Sequence, residues 1–242
     1  MPAARQLLRP GNKKLGPHRV WNFSIPAYHT CRPGRTEICA RNCYARNLER
    51  FRPSVRKSLR ENLKATRSAD FVERVCGEIA AKKARLVRVH TAGDFYSAAY
   101  AAAWADVARR CPKTLFWTYT RSWRDPAIRR VLSRAAARKN VRLWFSTDRE
   151  TGDPGRVPAR VRIAYLQDAA DDVPARADLV FRPRRLRRER AAAVATARGG
   201  RAPVCPTETG PPRAHEVTCE TCRACWRPDP PAPGRRIPLR VV

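Results

Sequence analysis

The sequence predicts an α/β protein: an incomplete (β/α) barrel with parallel strands, a cysteine loop after the first strand and a C-terminal cysteine-rich segment. Three observations lead there. Short apolar runs alternate with amphipathic helical stretches, and that alternation makes a parallel sheet. Six or seven such runs fall within about 200 residues, the density of a (β/α) repeat. Each run ends in polar residues, where such folds carry their working groups. A chain of 242 residues suits one larger domain with a small attachment and can bury a sizeable core.

The first apolar run, 20–25, leads into a loop, 26–44. Pro53, suited to a first helical turn, opens a helical region with Val55, Leu59 and Leu63 on one face. Past Ser68, a ready N-cap, Phe71, Val72, Val75, Cys76 and Ile79 continue the stripe. A strand follows at 86–90. Ser97 caps a helix carrying Tyr100, Trp104 and Val107. The third strand is 115–119. Asp125-Pro126 starts a helix with Ile128, Val131, Leu132 and Ala135 buried. Strands at 141–145, 162–166 and 179–181 come next. The stretch 167–178 is too short for a crossover helix, so the repeat degrades there. A helical stretch, 184–197, stops at Gly199-Gly200, and a last short strand leads to Cys205. The divisions are then an N-terminal segment, 1–19; a partial-barrel domain, 20–204; a metal-binding segment, 205–226; and a disordered tail, 227–242, rich in proline and arginine.

There are 51 Lys+Arg against 21 Asp+Glu, a net charge of +30. A GC-rich genome explains arginine over lysine but not the shortage of acids. So much charge repels itself in a folded chain, and a phosphate backbone is the usual relief. Nucleic acid is therefore the expected partner, ahead of acidic proteins and lipid surfaces. Met1 to Pro10 hold no apolar run of signal-peptide length, and no stretch reaches transmembrane length. The expectation is a cytoplasmic protein with no membrane contact, whose nine cysteines are reduced and free to bind metal.

Seven of those cysteines fall in two groups. Cys31, Cys39 and Cys43 lie within thirteen residues, on a loop too rich in arginine and proline to be core. Three soft thiolates suit zinc, with His29 as a fourth ligand, or a 4Fe–4S cluster with one iron left open. Cys205, Cys219, Cys222 and Cys225 carry two successive two-residue spacings, a pattern nearer to iron–sulfur proteins than to zinc ribbons. A structural zinc at these four is the alternative, with His215 as a spare ligand. Cys76 lies on an apolar helix stripe and reads as core; Cys111 carries no assigned role.

The other strand exits supply His90, Thr91, Ala92, Gly93 and Asp94; Tyr119, Thr120 and Arg121; Ser146, Thr147 and Asp148; Gln167 and Asp168; then Thr207 and Glu208. Singly, such groups cap the next helix. Together, beside the cysteines, they favour a site.

The segments Gly11-Asn12-Lys13-Lys14-Leu15-Gly16, Thr30-Cys31 to Cys43-Tyr44-Ala45, His90-Thr91-Ala92-Gly93-Asp94-Phe95-Tyr96-Ser97, Thr118-Tyr119-Thr120-Arg121 and Val204-Cys205-Pro206 to Cys225-Trp226 resemble the phage gene product 88 family, across most of the chain. That resemblance implies a phage protein and supplies little function. The architecture is similar to radical S-adenosylmethionine enzymes. There a cluster loop follows the first strand, with an aromatic after a cysteine, the place of Cys43-Tyr44 here. A Gly-Gly-Glu-like motif ends the second strand, the place of Ala92-Gly93-Asp94. The cysteine spacing differs: seven then three residues here, against three then two, with Arg46 where the last cysteine would stand.

Two expectations follow. In the first, an enzyme holds a cluster on Cys31, Cys39 and Cys43, with S-adenosylmethionine on the open iron and an electron donor as partner. Tyr44, Ala92, Gly93 and Asp94 would hold that cofactor, Asp94 through its ammonium. Arg121 and Asp148 would line the mouth with Asp94 as catalytic groups, while Arg182, Arg184 and Arg185 would meet nucleic acid. In the second, zinc or an inert cluster staples a non-catalytic DNA- or RNA-binding protein. A metal-dependent nuclease fits less well, because His18, His29, His90 and His215 are scattered.

Overall fold

The computed structural model describes residues 5–16, 18–168, 173–209 and 217–227. The proposed tail, beyond its first residue, and His215 lie outside the described residues. Seven strands form one sheet in chain order: β1 (Arg9–Pro10), β2 (Trp21–Phe23), β3 (Leu86–Val89), β4 (Leu115–Thr120), β5 (Val141–Thr147), β6 (Val161–Leu166) and β7 (Leu179–Phe181). Only β1 and β2 run antiparallel; every later pair is parallel. Helices α1 (Glu37–Arg41), α2 (Tyr44–Phe51), α3 (Pro53–Ala65) and α4 (Phe71–Ala81) fill the first crossover. Helix α5 (Ala98–Arg110) fills the second and α6 (Pro126–Ala136) the third. Among the described residues no pairing joins β7 to β1 or β2. The fold is thus mixed α/β on a mostly parallel sheet, and the sheet does not close into a barrel.

The strands alternate cleanly between two apolar faces. On the first, Phe23, Val87, Val89, Phe116, Leu143 and Phe145 pack against α4, α5 and α6. The helices meet them with the residues their periodicity selects, among them Phe71, Val75, Ile79, Tyr100, Trp104, Ile128 and Leu132. Ser97 and Asp125 cap α5 and α6 as their sequence positions require.

The second face carries arginines and aromatics in register. Arg88 stands beside Trp117, and Tyr119 beside Trp144, which in turn neighbours Arg162. The Arg88 guanidinium lies 4.3 Å from the Tyr119 ring centre, and Arg162 lies 5.2 Å from that of Trp144. Both contacts let a cation sit on a ring face. This face is covered by the C-terminal segment, which includes the short helix α7 (Cys219–Cys222). Trp144 Nε1 donates to the Cys225 carbonyl at 2.9 Å, and Arg162 donates to the carbonyls of Ala224 at 3.2 Å and Arg227 at 2.9 Å. The segment is also tied to the N-terminal loop. Cys219 N donates to Lys14 O at 2.9 Å. The Glu220 carboxylate accepts from the backbone N–H groups of His18, Arg19 and Val20. Gly16 permits this approach: at its φ of +99° a Cβ would lie 2.4 Å from the Glu220 side chain.

The structure differs from what the sequence predicts at three places. The stretch 184–197 is not one helix. A short 3₁₀ helix, Arg184–Glu189, gives way to β8 (Ala193–Ala195), which pairs antiparallel with β9 (Arg201–Pro203). Gly199 and Gly200 turn this hairpin instead of ending a helix, because Val194 and Ala202 have an apolar cluster with Tyr165 and Val180 to join. The cysteine loop is not irregular throughout, since α1 and the first residue of α2 fall inside it. The edge strand β1 has no sequence signal, being two residues held by its neighbour.

Glu220→Ala removes one acceptor from three backbone donors. It is expected to cost about 1–3 kcal/mol in urea unfolding and to speed proteolytic cleavage around residues 217–227. Unchanged stability and unchanged cleavage would show that Glu220 does not hold the segment down.

Candidate metal centre at the strand exits

The cysteine loop is pressed onto the exits of β3, β4 and β5 by small residues and hydroxyls. Ser24 Oγ lies 2.7 Å from Thr91 Oγ1 and accepts from the N–H groups of Thr91 and Ala92. A Cβ on Gly93 would lie 2.5 Å from Ile25, and one on Gly34 would lie 2.1 Å from the Arg121 backbone. Thr36 caps α1 by accepting from Cys39 N, and its hydroxyl donates to Asp148 Oδ2 at 2.7 Å. The Glu150 carboxylate accepts from Glu37 N and Ile38 N at the same helix end. Cys39 therefore rides on a one-turn helix fixed to β5, and Cys43 is the N-cap of α2.

Two buried carboxylates hold this arrangement. Asp94 accepts from Thr120 Oγ1 at 2.6 Å and from the N–H groups of Phe95, Arg121 and Ser122. Burial pushes its carboxyl above the usual range, and those donors oppose the push. Asp148, wholly buried, accepts from Thr36, from Arg121 Nε at 3.1 Å and from the backbone of Glu150 and Thr151. Arg121 then reaches on, its Nη1 donating to Cys39 Sγ at 3.3 Å. Asp94 was expected to meet a cofactor ammonium. Its oxygens accept hydrogen bonds from the β4 exit, and through them it organises the loop. Ala92 binds Ile25 through its carbonyl, and Gly93 makes the turn at φ +80°. Tyr44 OH donates to Thr91 O while most of the side chain faces solvent.

Cys31, Cys39 and Cys43 are half-buried and lie within electrostatic reach of one another. Burial raises the thiols of Cys31 and Cys39. Nearby thiols and carboxylates add to the rise, and Arg121 opposes it at Cys39. The four C-terminal thiols line one cavity of about 10 Å³, together with Leu179 and Trp226. Burial pushes Cys205 to about 11, with Lys14 opposing the rise and Glu208 and Cys225 adding to it, and burial and then Cys225 push Cys222 to about 12. Burial also raises Cys219 and Cys225. Lys14 stands beside the C-terminal thiols. It pairs with Glu208 at 3.0 Å and interacts electrostatically with Tyr44, Cys205 and Cys219. Among the described residues, no three His, Cys, Asp or Glu side chains are arranged to hold a metal ion as they stand. The chemistry of the donors nevertheless suits a soft cation: buried thiols that resist losing a proton alone ionise readily when a metal takes its place.

Other assigned residues have structural work. Arg182 is buried, its backbone on Glu208 and its side chain on Glu189, so it cannot meet a nucleic acid as expected. Arg185, with Arg41 and Asn42, binds Asp168; burial opposes that charge, but these donors prevail and hold the carboxyl below its usual range. Cys76 and Cys111 both pack against the core. His90 is buried, with Nε2 2.8 Å from Tyr100 OH. Sequence reasoning missed Thr36, Glu150, Ser24 and Lys14. Only Thr36 carried a signal, as a threonine before an acidic first turn; the others act across the fold.

The fold and these two thiol groups define an α/β protein with a mostly parallel open sheet and two cysteine-rich segments, one at the strand exits and one on the second face of the sheet. The sequence profile described as Gene product 88 matches residues 4–228, and the chain belongs to that family of phage proteins. It is 34% identical over 147 residues to the Gene 88 protein of Mycobacterium phage L5. It is 37% identical over 147 residues to that of Mycobacterium phage D29. Each match takes in 55% of this chain and 60% of the relative, so the chain spans less than two thirds of either relative's length. No solved structure matches. No helix among the described residues is long and apolar enough to cross a membrane.

Burial pushes the His90 imidazole down to about 3. An unfolded histidine takes its proton near pH 6.5; the folded one does not until near pH 3. Its contribution is therefore intact above about pH 6.5 and is lost as pH falls through that window, by up to about 1.4 kcal/mol per pH unit. Urea unfolding from pH 7 to pH 4 is expected to lose stability less steeply in His90→Asn than in the parent. Parallel curves would rule out a buried neutral ring.

Proposed function

We propose that this protein is an iron–sulfur enzyme of the radical S-adenosylmethionine-like type that acts on nucleic acid or on a nucleic-acid-bound substrate. Cys31, Cys39 and Cys43 would hold a 4Fe–4S cluster. The reading rests on one observation: Cys31, Cys39 and Cys43 share one loop at the exits of adjacent parallel strands, within electrostatic reach of one another, while Cys205, Cys219, Cys222 and Cys225 line one small cavity.

When bound, a three-cysteine cluster supplies one-electron chemistry and an open iron for S-adenosylmethionine. Everything else falls to the chain. Arg121 donates to the Cys39 sulfur and would keep doing so to the cluster ligand, favouring its reduced, more negative state. Asp148 and Thr36 fix that arginine and the helix bearing Cys39. Asp94, Ala92 and Gly93 would shape the floor on which the cofactor lies, with the Ala92 backbone and the Asp94 carboxylate already engaged by the surrounding loops. Tyr44 closes one side. The thiols must draw together from their present positions to ligate. An external electron donor would be needed.

The C-terminal quartet favours a second reading of its own. A cavity of about 10 Å³ has room for one small ion, which suits zinc better than a second cluster. With zinc at both groups and no cofactor, the protein would be a stapled nucleic-acid binder.

Anaerobic reconstitution with iron and sulfide tests the proposal. About four irons and a broad visible band are expected at the first group, lost in Cys39→Ala and kept in Cys222→Ala. The quartet is expected to hold one zinc, or about four more irons if it takes a cluster. Added S-adenosylmethionine should perturb the spectrum of the parent and not of Cys39→Ala. Colourless protein carrying only zinc, with no response to the cofactor, would leave the stapled binder.

A further inference from the structure

Helix α2 is amphipathic the wrong way round. Tyr44, Leu48 and Phe51 fall at i, i+4 and i+7, one face of the helix. That face points into solvent, with exposures of 59%, 42% and 72%. These three are the large apolar residues exposed among the described ones, and all lie on one eight-residue helix. The opposite side is satisfied: Ala45 is buried, and the Glu49 carboxylate accepts from Ala27 N in the cysteine loop at 2.7 Å. An exposed apolar stripe of this kind marks a surface that something covers.

The charge around it says what. Arg46, Arg50, Arg52, Arg56, Lys57 and Arg60 are all exposed on α2 and the start of α3. Among the described residues none of the six forms an ion pair. The lone acid in this stretch is Glu49, already engaged by Ala27. A second copy of this chain would set six uncompensated cations against six more, so self-association is disfavoured. Five of the six are arginines, whose planar forks fit phosphate. Two of these guanidinium groups also lie over rings: Arg46 is 4.5 Å from the Tyr28 ring centre, and Arg50 5.4 Å from that of Phe51. Exposed rings among unpaired arginines are what single-stranded nucleic acid needs, bases stacking on the rings and phosphates on the cations. A duplex keeps its bases stacked on one another and offers the rings nothing.

We propose that the exposed face of α2, with the first turns of α3, binds single-stranded nucleic acid. Tyr44 and Phe51 give stacking faces about 10 Å apart along the helix, and Arg46, Arg50, Arg52 and Arg56 contact phosphates. Helix α2 begins at Cys43, so a strand bound there passes directly beside the first thiol group. The inference specifies the nucleic-acid part of the proposed function and needs no cluster.

Fluorescence anisotropy with a labelled 20-nucleotide single strand, and with the matching duplex, tests it in the full chain. Phe51 makes no core contact, so Phe51→Ala should fold normally. It is expected to weaken single-strand binding at least about fivefold and to leave duplex binding unchanged. Arg50→Ala should lower affinity for the strand and reduce the slope of log affinity against log salt by about one. Arg138→Ala with Lys139→Ala, at the opposite end of the strands, should lower affinity less than Arg50→Ala alone. Equal binding by Phe51→Ala, or equal losses for strand and duplex, would overturn the proposal. So would no strand binding at 0.15 M salt, which would point to an acidic protein as occupant. Cys39→Ala separates the two readings: retained strand binding in a protein that loses its iron supports this surface whatever becomes of the cluster.

Discussion

A parallel sheet has two apolar faces and must cover both. Here the helices between the strands cover one, and the loop between β1 and β2 reaches only part of the other, through Leu15 and Val20. The second face, with Trp117, Tyr119, Trp144 and Arg162, is covered by a segment from the far end of the chain. That requirement organises much of the rest. It places Cys219, Cys222 and Cys225 against the sheet beside Cys205, and it brings the N-terminal loop into contact through Glu220 and Lys14. The arginines on this face serve the same end. Arg162 spends its donors on the carbonyls of the covering segment, which satisfies buried polar groups on both sides.

The strand exits follow a comparable economy. Asp94 and Asp148 are buried carboxylates, and each accepts several hydrogen bonds from the loops around it. Such groups are costly to bury unless fully bonded, and once bonded they make the loops rigid. Arg121 joins the two systems by linking the Asp148 carboxylate to the Cys39 thiol. The charged groups nearest the first three cysteines therefore act as supports, and the thiols are what remains available for chemistry.

The charge of the chain is unevenly used. Some arginines are internal parts: Arg182 is buried on acids, and Arg88 lies on the Tyr119 ring. Those on α2 and α3 have no acidic partner, and they surround the apolar stripe that the core leaves exposed. A net charge of +30 thus divides into cations that build the fold and cations left exposed without an acidic partner among the described residues.

Much of the fold was legible in the sequence because it depends on local periodicity. The strands at Leu86–Val89, Leu115–Thr120 and Leu179–Phe181 and the helices capped by Ser97 and Asp125 needed only alternation, apolar spacing and a capping side chain. The grouping of the cysteines at two places along the chain was legible for the same reason. The hairpin at 193–203 was not, because alanine- and arginine-rich sequence favours a helix until Val194 and Ala202 find a cluster to join. The role of Asp94 was not legible either: its partners are backbone N–H groups of another strand exit, and no spacing records them. What the sequence determined by itself is therefore the order of strands and helices, the positive charge and the two sets of thiols. The tertiary structure alone decided that the last segment covers the second face of the sheet and that the apolar stripe of α2 points outward. Those outcomes depend on which surfaces remain uncovered once the elements pack, and that is a property of the whole chain.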